Sequence, residues 1–110
     1  MKVSLLDIGG EVTKQDERYV VKDNTTLKNL VVSSTRLQPG KSTTGHSHKG
    51  QEEVYYFLEG VGKMMLDDKT ISIGPGDVVL IEDGVFHRVY ADIHQEMYFV
   101  CVFDGKRNHK

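Results

Sequence analysis

The chain has 110 residues, enough for one domain with its own core and no need of a disulfide or structural metal merely to fold. Its 14 basic and 16 acidic residues are interspersed and leave a net charge of −2, so no basic patch invites nucleic acid. The lone cysteine, Cys101, excludes an internal disulfide, and no apolar run approaches the roughly 20 residues of a membrane-spanning helix.

The opening MKVSLLDIGGEV has a short apolar patch broken by Asp7 and Gly9-Gly10, unlike a secretion signal. A cytoplasmic protein without nucleic-acid or membrane partners is therefore expected. One strand around VSLLDI and a loop are expected in the first 17 residues. Short β-rich runs with turn signals between them follow. They are RYVVKD (18–23), LKNLVVSSTRL (27–37), STTGHSH (42–48), EVYYFLEG (53–60), VGKMMLD (61–67) and KTISI (69–73). Then come DVVLI (77–81), VFHRVYA (85–91) and QEMYFVCVF (95–103). DVVLI is nearly all apolar and is expected to be buried on both faces. No segment has helical periodicity. The pattern predicts one all-β domain over 1–110, a sandwich or barrel, with a frayed tail over 104–110.

Residues 45–60 read GHSHKGQEEVYYFLEG. Side chains two apart on a strand share a face, so an extended 42–48 points His46 and His48 the same way. Glu53 opens the next strand after a short turn, and a barrel can bring His87 to the same interior spot. Three imidazoles and a carboxylate suit iron(II), manganese, nickel, cobalt, copper or zinc better than calcium or magnesium. His94 and His109 carry no such pattern and receive no role. Cys101, in an apolar run, is expected to be a small core residue.

This set resembles the motifs of the cupin family. The first family motif is G-x5-H-x-H-x3–4-E-x6-G, matched by Gly40, His46, His48, Glu53 and Gly60. The spacing before the carboxylate allows Glu52 or Glu53; the six-residue gap to Gly60 selects Glu53. The second is G-x5-P-x-G-x2-H-x3-N, matched by Gly76, Gly84 and His87, with Glu82 and Ala91 replacing Pro and Asn. The motifs span 40–60 and 76–91. The resemblance implies a single-domain jelly-roll β-barrel, one divalent metal on His46, His48, Glu53 and His87, a small-molecule ligand, and a homodimer with edge strands in 1–37 as its surface.

Four ligands leave two positions of an octahedral metal for a substrate with two adjacent oxygens. Flanking residues from Gly45 to Met64 and from Ile73 to Val89 are similar to cupin-type sugar-phosphate isomerases. That likeness implies isomerase or epimerase chemistry on a sugar or sugar phosphate. An iron(II) dioxygenase and a non-catalytic binding module are the other two readings. Tyr55, Tyr90 and Tyr98 are the catalytic candidates, and Lys41 or Arg36 the candidates for holding an anion.

Overall fold

The computed structural model describes residues 1–47 and 49–105. Nine strands form, and no helix occurs among the described residues. In chain order they are β1 (Glu11–Gln15), β2 (Tyr19–Asn24), β3 (Leu30–Leu37), β4 (Glu53–Glu59), β5 (Gly62–Leu66), β6 (Lys69–Ile73), β7 (Val78–Ile81), β8 (His87–Ala91) and β9 (Met97–Asp104). They make a six-stranded sheet, β1-β2-β3-β9-β4-β7, and a three-stranded sheet, β6-β5-β8. Every pairing is antiparallel. This is the expected all-β architecture of two facing antiparallel sheets, and KTISI forms its strand with the expected ends.

Period-two alternation decides which side chains meet between the sheets. On β4, Glu53, Tyr55 and Phe57 are buried while the residues between them are half-buried or exposed. Across the large sheet Tyr55 faces Cys101, and Cys101 faces Ser33 in register. The interior core combines Leu37, Phe57, Phe99 and Met97 of the large sheet with Met64, Ile73 and Val89 of the small one. A second cluster, Ile8 with Tyr98 and Val100, lies on the large sheet's outer face. There the Tyr98 hydroxyl donates to the Leu5 carbonyl at 2.6 Å, tying the N-terminal segment down.

Three expectations are corrected. The first segment forms only an isolated Ser4–Asp7 bridge, and its strand is β1 further on. DVVLI is an edge strand rather than one buried on both faces: Val78 and Leu80 are 53% and 70% exposed. Residues 42–47 form no continuous strand; bridges at Ser42–Tyr90 and His46–His87 attach them to β8. Between those bridges Thr43 pairs with Val89, so Thr44 and Gly45 together oppose Arg88, a bulge.

Candidate metal centre

Both sheets contribute to one site. Glu53 heads β4, in the interior of the large sheet, where β9 and β7 flank it. His87 heads β8 in the small sheet, and its backbone exchanges both hydrogen bonds with His46. The ligand atoms of His46, Glu53 and His87 all lie within 4.8 Å of one another. Glu53 Oε2 is 3.2 Å from His87 Nε2 and 3.9 Å from His46 Nε2. His48, the fourth expected ligand, lies outside the described residues, as do His109 and the tail from 106 on.

Backbone carbonyls orient both rings. His87 Nδ1 is 3.0 Å from the Val85 carbonyl, and His46 Nδ1 is 3.3 Å from the Thr44 carbonyl. A proton on each Nδ1 is the tautomer these contacts assign, which turns both Nε2 lone pairs toward Glu53. Glu53 and His87 are 3% and 2% exposed at their side chains. His87 Nε2 is buried, and its near neighbour is Glu53 Oε2. Two imidazoles and a carboxylate whose ligand atoms converge in this way fit a divalent transition metal.

The site opens into a cavity of about 420 Å³. His46, Glu53 and Tyr55 line one part of it; Tyr19, Ser33 and Thr35, further along the large sheet, line another. Phe99 and Phe103 supply apolar surface. The Ser33 hydroxyl donates to Asp23 at 2.6 Å on the same wall. A bulge between Val12 and Lys14 of β1 lets consecutive residues, Thr13 and Lys14, both reach the cavity.

Of the three tyrosine candidates, Tyr55 is at the site, its ring edge-on to His87 at 5.7 Å. Tyr90 is three residues from His87 on β8, hence on the opposite face, where Arg88 lies over its ring. Tyr98 is buried in the outer cluster. Arg36 points outward too, bonded to Glu59 and Glu96. Lys41 is exposed and does not line the cavity; the cavity's lysine is Lys14. Cys101 packs in the core as expected and also reaches the cavity wall. The polar residues of β2 and β3 were missed, although Asp23, Ser33 and Thr35 sit at inward positions of alternating strands.

The family model described as "Cupin domain" matches residues 33–103. An oxalate-binding protein of Thermotoga maritima is 28% identical over 94 residues, 86% of this chain and 78% of its own length. A glucose-6-phosphate isomerase of Pyrococcus furiosus is 31% identical; the match covers 89% of this chain and only 61% of that one. Among solved structures, the polyketide cyclase RemF of Streptomyces resistomycificus matches with a TM-score of 0.80 at 24% identity, over 97% of this chain and 80% of that one. At such identity the structural likeness speaks to fold alone.

Proposed function

This chain belongs to the cupin family, and from that premise we propose that it is a metal-dependent enzyme of isomerase or epimerase type acting on a small sugar or sugar phosphate. The observation that carries the reading is the convergence of His46, Glu53 and His87 beside a mainly apolar cavity that also presents several hydroxyl groups. His48 completes the ligand set by resemblance. A bound divalent transition metal supplies Lewis acidity toward two adjacent substrate oxygens.

The remaining work falls to the chain. Tyr19, Ser33, Thr35 and Thr43 offer O–H groups that donate and accept, matching the hydroxyls of a polyol. Asp23 accepts from a donor, and Lys14 can receive a carboxylate or phosphate end. The cavity's volume falls within the range of small-molecule sites. Tyr55 is the group we assign to hold a proton between two substrate carbons, at its phenolic oxygen. Phe57 and Phe99 stack on its ring at 6.0 and 5.6 Å and limit its rotation. The resemblance adds a homodimer, and the sequence reading adds a cytoplasmic location; among the described residues no helix is long and apolar enough to cross a membrane.

The test is anaerobic incubation in D₂O of manganese- or nickel-loaded protein with aldose–ketose pairs, free and phosphorylated, followed by NMR. The expected result is interconversion or deuterium uptake beside the carbonyl, stopped by a chelator and by His87→Ala. Oxygen uptake by the iron(II) form without interconversion would support the dioxygenase instead. The oxalate-binding relative favours one second reading, a binding module for a small dicarboxylate. Saturable oxalate binding without turnover of any sugar would support it.

A further inference from the structure

We propose that Arg18, on the β1–β2 turn, is a positioning residue for the metal centre: it grips Thr44 and thereby holds the His46 ring in its ligating orientation. The inference rests on reading the site as a metal centre. His46 needs such help because the β8 ladder skips Thr44 and Gly45, the bulged pair beside it. One side of this segment is already anchored. Arg88 donates from Nε to the Thr43 carbonyl at 2.8 Å and from Nη2 to Ser42 Oγ at 3.0 Å. Thr44, at the bulge itself, is reached from the opposite sheet.

Arg18 Nη1 donates to Thr44 Oγ1 at 3.1 Å, across 26 residues of sequence. The guanidinium is itself immobilised on three sides. Asp16 accepts from its Nε and, at 2.7 Å, from its Nη2. Nη2 also donates to the Tyr19 hydroxyl at 3.1 Å, and the guanidinium carbon lies 4.5 Å from the Tyr19 ring centroid. Asp16 further accepts from the Arg18 backbone N–H at 2.7 Å, closing the turn on itself. The chain of contacts therefore runs Asp16, Arg18, Thr44 hydroxyl, Thr44 carbonyl, His46 Nδ1. Fixing the Thr44 backbone fixes the acceptor that selects the His46 tautomer and rotamer. Arg is suited to this because its planar fork bonds a carboxylate and a hydroxyl at once. The same grip spans the cavity between the β1–β2 hairpin and the His46 segment, since Tyr19 and Thr44 both line it.

The test uses cobalt(II) as the metal probe and the full chain. Cobalt affinity is measured by chelator competition for the wild type, Arg18→Ala, Arg18→Lys, Thr44→Val and the Arg18→Ala/Thr44→Val double variant. Each single loss is expected to weaken binding by up to about 10-fold, below or at the low end of the roughly 10- to 100-fold range for groups bonded directly to a metal ligand. The double variant should be no weaker than the weaker single one, since both act through one contact. Arg18→Lys, which keeps a donor, should recover part of the loss. Independently, nitrogen-detected NMR of metal-free protein should show His46 losing its Nδ1–H preference in Arg18→Ala and Thr44→Val, with His87 unchanged. Wild-type cobalt affinity with an unaltered His46 tautomer in both variants would overturn the positioning role. A wild type that binds no cobalt, with the tautomer change still present, would overturn the metal reading and leave the positioning of His46 standing.

Discussion

The two histidines at the site are held by different means. His87 opens β8, its side chain 2% exposed, with its Nδ1 3.0 Å from a carbonyl two residues back. His46 is 39% exposed, beside a bulge, and its corresponding contact is 3.3 Å. Regular ladders on both sheets hold Glu53 and His87; two isolated backbone bridges to β8, with side chains of Arg18 and Arg88, hold the His46 segment. Half of the site is therefore a consequence of folding the core, while the other half can be adjusted at modest cost to the fold.

Deleting each ring should separate the two histidines most clearly. His87→Ala should cost metal affinity well beyond the roughly 10- to 100-fold of an outer partner and also lower the melting temperature, because a filled core position is emptied. His46→Ala should lose metal affinity with little change in the melting temperature of metal-free protein. Equal destabilisation of the two metal-free variants would erase the distinction.

Metal addition sharpens it next. At a free metal concentration 100 times the Kd, the loaded protein should gain about 2.7 kcal/mol over chelator-treated protein. Calorimetric melts measure this, and His87→Ala should show none of it.

A smaller effect isolates the adjustable half without touching a ligand. Gly45 lies against the Phe86 ring, and a Cβ there would collide with the ring's far edge. Gly45→Ala should cost about 1–3 kcal/mol, as overpacked sites do, and weaken metal binding by moving the His46 segment. Denaturant unfolding and metal titration of one preparation test both halves of that expectation.

The smallest effect concerns Asp16. Its hydrogen bonds from the Arg18 side chain, then from the Arg18 backbone N–H, hold its carboxyl below the ordinary carboxylate range. A lowered folded-state value means the contribution is present above the unfolded pKa and lost as pH falls through the folded one. Carboxyl NMR titration should show Asp16 moving back up toward the ordinary range in Arg18→Ala.

Much of the fold was legible because strand signals are local. Alternation and turn residues marked KTISI and EVYYFLEG, and the resemblance to the cupin motif, through its six-residue gap to Gly60, implied Glu53. Sheet order is not local. VVLI reads as a central strand by composition, and only the pairing reveals that β7 has a neighbour on one side alone. Tyr90 could have been set aside by counting, since an odd separation from His87 on one strand reverses the face. Tyr98 could not, because nothing in β9 is anchored to the site until its register with β4 is known. The bulge at Thr44–Gly45 and the Arg18 contact were beyond reach, as both depend on segments distant in sequence meeting at one place.

The most direct measurement is elemental analysis of the protein as purified, beside His87→Ala and Glu53→Gln. A centre built on His46, Glu53 and His87 predicts a divalent transition metal near one equivalent in the wild type and little in either variant. A wild type that carries no metal and takes none up, or a His87→Ala variant that retains a full equivalent, would contradict it.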